Sequence, residues 1–180
     1  MSGSRAVLFD RDGVLMEEVH YCADPARVKA YTGAGEALRR IRAAGFHTFI
    51  VTNQSGIGRG LITEAQYRAV QEELLRQIGP GSIDAAYFCP DVPGTPSFRR
   101  KPAPGMALEA AAEYGLDLSR SFFVGDKSSD IECGRRAGMR TILVLTGYGA
   151  EQDCAPDFTA RDLAEAADII LKPEQESISS

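Results

Sequence analysis

The chain has 180 residues, 44% of them hydrophobic and 25% charged, enough to bury one substantial core and too few for two domains of ordinary size. Its net charge of −5 is spread without a basic block, which argues against a nucleic-acid or anionic-membrane partner and suits a small substrate. No apolar stretch approaches the roughly 20 residues that span a bilayer, and the opening Met-Ser-Gly-Ser-Arg lacks a signal-peptide pattern, so the cytoplasm is the expected location.

In chain order, apolar, β-branched or aromatic runs predict strands at 5–9, 46–51, 83–88, 121–125, 140–145 and 168–171. Helical patterns fall between them at 35–44, 63–78, 104–114, 128–137 and 161–166. Thr63 with Gln66 has capping-box spacing, Pro104 suits a first helical turn, and Gly45, Gly79, Gly115 and Gly138 stand where helices should stop. Residues 90–104 carry five prolines and read as an irregular loop. Such alternation predicts an α/β fold, three-layer and Rossmann-like, with a mostly parallel central sheet between helices. One domain over 1–174 is expected, followed by a polar tail at 175–180. The four cysteines, Cys22, Cys89, Cys133 and Cys154, have no CxxC spacing and read as free thiols.

Four signals follow predicted strand ends: Asp10-Arg11-Asp12-Gly13, Thr52-Asn53-Gln54-Ser55-Gly56, Arg100-Lys101-Pro102 and Gly125-Asp126-Lys127-Ser128-Ser129-Asp130. Each alone is ordinary turn or surface composition. Together they deliver acids, a hydroxyl and cations to the carboxyl edge of a sheet, where open α/β folds bind ligands. Residues 10 and 12 of an extended chain point the same way and can address one centre. Clustered carboxylates call for a hard cation, and magnesium takes one or two of them with water and phosphate oxygens. For Asp10 and Asp126 to share an ion, the strand ending at Val124 must neighbour the first. Thr52 with the N–H groups after it, Lys101, and the positive end of the helix near Ser128 can then surround a phosphate. The chemistry that uses this set is phosphoryl transfer to a carboxylate.

In that order the four motifs resemble the haloacid dehalogenase-like superfamily of aspartate-dependent phosphatases over about residues 5–146. The resemblance implies that Asp10 is a nucleophile forming an aspartyl-phosphate and that Asp12 is the general acid and base. It implies magnesium held by Asp10, the backbone carbonyl of Asp12, and Asp126, with Asp130 orienting these groups from behind, while Thr52 and Lys101 complete the catalytic set. The segments between motifs leave no room for a cap domain, so a capless enzyme is expected, with its specificity set by loops.

Within the superfamily, Val51-Thr-Asn-Gln-Ser-Gly-Ile-Gly-Arg-Gly60 and Arg100-Lys-Pro-x-Pro-Gly-Met106 are similar to the D-glycero-D-manno-heptose 1,7-bisphosphate phosphatase and histidinol-phosphatase group. By that likeness Glu18, His20 and Tyr21 line a sugar pocket, Thr52, Asn53, Gln54 and Ser55 meet the substrate, and Arg100, Lys101 and Lys127 hold phosphate. His20 and Tyr21 read equally well as ordinary loop residues. The substrate implied is a small phosphorylated metabolite, foremost a sugar bisphosphate, with histidinol phosphate as the alternative. One departure stands out. The group holds its third-motif loop with a structural zinc, bound through Cys-x-His and Cys-x-Cys pairs. Here the positions read Cys89-Pro90-Asp91 and Ser97-Phe98-Arg99, so no zinc is expected.

Other readings fit less well. A phospho-receiver domain carries its phosphorylated aspartate on the third strand, whereas residues 83–88 lead into Cys89. A phosphate-binding protein without catalysis would not need the nucleophile, acid, metal carboxylate and lysine together. A nucleic-acid phosphatase would want a basic groove, and Arg99-Arg100-Lys101 is the one compact basic run. Ser55-Gly-Ile-Gly-Arg-Gly60 lacks the Lys-Ser/Thr of a P-loop and reads as a flexible substrate loop. His47 reads as a packed strand residue. Oligomeric state is not legible.

Overall fold

The computed structural model describes residues 3–173, and the expected tail at 175–180 lies outside them. Six strands form one sheet: β1 (Ala6–Phe9), β2 (His47–Asn53), β3 (Ala85–Cys89), β4 (Phe122–Gly125), β5 (Arg140–Val144) and β6 (Phe158–Ala160). Their order is β3-β2-β1-β4-β5-β6, and every pairing is parallel. β1 therefore lies at the centre, with Phe9 opposite Ile50 on one side and Val124 on the other. The neighbouring of the first and fourth strands, inferred from the need to share an ion, is the observed topology.

Helices cover both faces. Residues of α1 (Ala34–Ala43), α3 (Glu64–Ile78) and α6 (Leu163–Leu171) pack in one core with Val7, Phe9, Ile50 and Val124. Residues of α4 (Gly105–Tyr114) and α5 (Ser128–Arg136) pack in the other with Ala6, Leu8, Phe49 and Phe123. The split follows the alternation of side chains along β1, all four of whose residues are fully buried. Thr63 caps α3 through the expected capping box, its hydroxyl accepting from the Gln66 N–H at 3.1 Å.

Two local expectations are corrected. The strand expected at 168–171 is the last turn of α6. Leu163, Ala166, Ala167 and Ile170 are the buried positions, a helical spacing that runs through both the predicted helix at 161–166 and the Ile-Ile-Leu run after it. The sixth strand is instead Phe158–Ala160, three residues of which only Ala160 is buried, too short for any alternation to register. The stretch expected as a flexible loop at 55–60 holds the one-turn helix α2 (Ser55–Gly58). A Cβ on Gly58 would lie 2.3 Å from the Pro90 carbonyl oxygen, so this glycine serves close packing. His47 opens β2, and its side chain is partly exposed with Nδ1 3.2 Å from Asp84.

Candidate active site

The sheet edge after β1, β2 and β4 gathers the four motifs. Every site residue expected from sequence except Asp126 lines one cavity of ≈ 350 Å³, and Asp126 is fully buried with an oxygen within 4.8 Å of Asp10 and Asp130. Asp10 leaves β1 with its backbone N–H donating to Val124 O at 3.0 Å. Its Oδ1 accepts from the Arg11 N–H at 2.8 Å and lies 3.0 Å from Lys101 Nζ. Burial pushes the Asp10 carboxyl up, but the ammonium groups of Lys101 and Lys127 outweigh it and hold the group below its ordinary value. Asp10 is thereby kept anionic, the form a nucleophile needs.

Lys101 is the anchor of this arrangement. Its ammonium lies 2.7 Å from Asp130 Oδ1 and donates to Val51 O at 2.8 Å. Its pKa is raised because the attraction of Asp10 and Asp130 exceeds the opposing effect of burial. Asn53 fixes the Lys101 backbone, donating to its carbonyl and accepting from its N–H at 3.1 and 3.0 Å. The Asn53 amide, expected to meet substrate, is thus occupied in holding two motifs together. Asp130 Oδ2 accepts from the backbone N–H groups of Asp126 and Lys127, the inward orienting position expected of it.

Asp126 supplies the evidence that the site suits a cation. One oxygen accepts from the Tyr148 N–H at 3.0 Å, while the other, Oδ1, is buried with no hydrogen-bond partner. Burial and the nearby Asp10 charge push its carboxyl up to about 7. One oxygen each of Asp10, Asp126 and Asp130 lie within 4.8 Å of one another. An all-oxygen cluster with an unpartnered buried carboxylate oxygen fits a hard divalent ion such as magnesium. Two glycines let the chain wrap Asp126: Cβ atoms at Gly13 (φ +85°) and Gly147 (φ +56°) would fall 2.1 and 2.2 Å from Asp126 Oδ2.

Around the cavity mouth, Lys127 Nζ sits 3.4 Å from Glu18 and 5.2 Å from the Tyr148 ring centre. The His20 and Tyr21 rings meet at a tilt of 54° with centroids 4.2 Å apart, and Tyr21 holds φ 48°, a left-handed conformation unusual for a bulky residue. Gln54, expected to contact substrate, donates to Asp12 Oδ2 and to Thr52 Oγ1, both at 2.9 Å. Three participants were not evident in the sequence. The Tyr148 N–H and the Thr146 hydroxyl, which donates to Gly13 O at 2.7 Å, come from the loop after β5. Arg11, 1% exposed, grips Asp12 from within the first motif.

The loop before Lys101 lacks the four Cys or His ligands of a closed zinc site. Cys89 Sγ instead lies 3.4 Å from Asp91 Oδ2 and 3.7 Å from Ser97 Oγ. Ser97 Oγ accepts from the N–H groups of Arg99 and Arg100 at 3.2 and 3.0 Å, and the Arg100 guanidinium donates to Asp91 O at 2.7 Å. Arg99 pairs with Glu109 at 2.9 Å. These hydrogen bonds tie the loop together.

Comparison with known proteins agrees with this geometry. The Haloacid dehalogenase-like hydrolase family matches residues 7–78, and the HAD-hyrolase-like family matches 98–166. The D-glycero-D-manno-heptose-1,7-bisphosphate 7-phosphatase of Chlorobaculum tepidum is 36% identical over 92% of this chain and 94% of its own length. The chain belongs to the haloacid dehalogenase-like hydrolases. Among this family, the D-glycero-beta-D-manno-heptose-1,7-bisphosphate 7-phosphatase of Rhodopseudomonas palustris is 39% identical over 74% of this chain and 79% of its own. The D,D-heptose 1,7-bisphosphate phosphatase of B. bronchiseptica, crystallised with magnesium and phosphate, superposes with a TM-score of 0.86 at 31% identity, covering 93% of this chain and 98% of that one. The three-layer fold of this hydrolase is the one its relatives share.

Proposed function

We propose that this hydrolase is a magnesium-dependent phosphomonoesterase that removes a phosphate from a sugar bisphosphate of the D-glycero-D-manno-heptose 1,7-bisphosphate type. The observation that carries the reading is the buried Asp10 carboxylate, held anionic by Lys101 beside the unpartnered oxygen of Asp126. Asp10 attacks phosphorus, forming a P–O bond to its carboxylate as the ester P–O bond breaks. Asp12 gives its proton to the departing alkoxide, then takes one from the water that attacks the aspartyl-phosphate and frees Asp10. Lys101 and Lys127 neutralise phosphate oxygens, with the Thr52 hydroxyl beside them. Asp10, the Asp12 carbonyl and Asp126 would hold magnesium, which when bound offsets repulsion between anionic nucleophile and anionic phosphate. Asp130 keeps Lys101 and the Asp126 backbone in place.

The relatives named as heptose-bisphosphatases support the substrate, and the ≈ 350 Å³ cavity lined by Glu18, His20, Tyr21, Arg100 and Lys127 offers a second anion site beside the sugar. The proposed enzyme needs no zinc, because Cys89, Asp91 and Ser97 secure the Arg100 loop without it. The test is hydrolysis of sugar bisphosphates, sugar monophosphates and histidinol phosphate with magnesium. Asp10→Asn should lower kcat by at least about 10³-fold; unchanged turnover in that variant would end the proposal. Preference for histidinol phosphate would keep the mechanism and replace the substrate.

A further inference from the structure

We propose that Arg11, the middle residue of the Asp-x-Asp motif, is a positioning residue that sets the orientation of the acid–base carboxylate of Asp12. The inference rests on the reading of Asp12 as that group. On an extended strand residue 11 would face away from residues 10 and 12, but β1 ends at Phe9 and the side chain turns to the same side as Asp12. Its Nε donates to Asp12 Oδ2 at 3.1 Å and its Nη2 to Asp12 Oδ1 at 3.2 Å. This is a two-point grip that fixes the plane of a carboxylate as a single charge cannot.

The grip is itself braced. The Arg11 guanidinium carbon lies 5.3 Å from the centre of the Tyr67 ring, whose side chain is buried on α3. The Arg11 carbonyl accepts from the N–H groups of Leu15 and Met16 at 3.0 and 3.2 Å, so backbone and side chain are both tied. Gln54 adds a third hydrogen bond to Asp12, at Oδ2. Oδ1 receives Arg11 Nη2 alone, leaving it the less occupied oxygen for a transferring proton. A guanidinium does not give up its proton in proteins, so Arg11 takes no part in the proton transfer and acts only through Asp12. A buried arginine needs a counter-ion wherever it lies, but the fold alone does not require that ion to be the acid beside the nucleophile. This one gives that acid both ends of its fork and its backbone N–H to Asp10.

The test uses leaving groups. Compare kcat/KM for a sugar phosphate, whose alkoxide must be protonated as it leaves, with p-nitrophenyl phosphate, whose phenolate leaves without help. The proteins are wild type, Arg11→Gln, Arg11→Lys and Asp12→Asn, each checked by circular dichroism and thermal melting. General acid–base catalysis supplies roughly 10²–10⁴-fold. Arg11→Gln should therefore lose about 10²-fold on the sugar phosphate and under about tenfold on the aryl ester, with Arg11→Lys, which keeps charge but not the fork, in between. Equal losses on both substrates would assign Arg11 to folding or phosphate binding and overturn the proposal, as would a folded Arg11→Lys protein with wild-type values on both. If Asp12→Asn itself shows no leaving-group bias, the assignment of Asp12 fails and the inference falls with it. If Asp12→Asn shows the bias and neither Arg11 variant does, the inference alone fails.

Discussion

Replacing Lys101 with methionine removes a cation that is in contact with both Asp10 and Asp130. Its ammonium is 3.0 Å from Asp10, 2.7 Å from Asp130, and bonded to Val51 O at 2.8 Å, on a residue 4% exposed. Losing one partner of a buried ion pair costs about 3–5 kcal/mol, and the hydrogen bond lost at Val51 about 1 kcal/mol more. Two effects offset this: the lysine's own burial penalty disappears, and Asp130 can take a proton. Asp130 is already pushed up to about 6, chiefly by burial and the Asp10 charge, and rises further without Lys101. A net loss of about 3 kcal/mol is expected at pH 8, or roughly 6–12 °C in Tm for a chain of this size. The sign with pH follows from proton binding. With the folded pKa above the unfolded one, the folded variant holds a proton that the unfolded chain has released, so its stability falls as pH rises through that interval. The deficit relative to wild type should therefore be larger at pH 8 than at pH 5. Urea unfolding in metal-free buffer at both values measures it, with the Lys101→Met/Asp130→Asn double variant expected to recover part of the loss. A deficit under about 1 kcal/mol at pH 8, or one that grows toward low pH, would refute the reasoning.

Three further outcomes follow from the site and the loop beside it. Because Asp126 and Asp130 have carboxyls raised to about 7 and about 6, the metal-free protein should lose stability as pH climbs from 5 to 7.5, and magnesium should flatten that slope by stabilising the ionised forms. A metal-free Tm that rises across that window would contradict the assignment. Purified protein should carry under about 0.1 zinc per chain by elemental analysis, since one Cys of a four-ligand set remains. Ser97→Ala, which frees the Arg99 and Arg100 backbone, should raise KM for a bisphosphate several-fold and change kcat less; stoichiometric zinc, or an unaffected KM, would show that the loop is held otherwise.

The parts of this fold legible in the sequence are those where local chemistry and burial agree. β1, β2, β4 and β5 are almost wholly buried and their apolar runs are continuous. The capping box at Thr63 and the glycines that follow the helices mark boundaries to within a residue or two. β6 was hidden because Phe158 and Thr159 are exposed and its partner strand, not its composition, makes it a strand. The four motifs placed Asp10, Thr52, Lys101 and Asp126 together because Asp10 and Asp126 follow β1 and β4, Thr52 lies at the end of β2, and Lys101 is on the loop after the edge strand β3. Arg11, Tyr148 and Thr146 could not be found that way. Arg11 looks like a solvated charge until the turn buries it, and the other two contribute through a backbone N–H and a hydroxyl on a loop that no motif marks. Gln54 and Asn53 line the cavity as expected, but their hydrogen bonds to Asp12, Thr52 and the Lys101 backbone depend on geometry that one-dimensional spacing does not carry.

The centre of the sheet is also completed late as the chain emerges from N- to C-terminus. β1, β2 and β3 can pair first, but the carbonyl that receives the Asp10 N–H belongs to Val124, and the hydroxyl that ties Gly13 is 133 residues away on Thr146. A nascent chain that ends before β4 carries Asp10 without Asp126 or Asp130 beside it and with a bare strand edge. Under the proposed mechanism, activity therefore waits on long-range folding, and a chain truncated before β4 should be inactive toward phosphate esters even if its N-terminal half has collapsed.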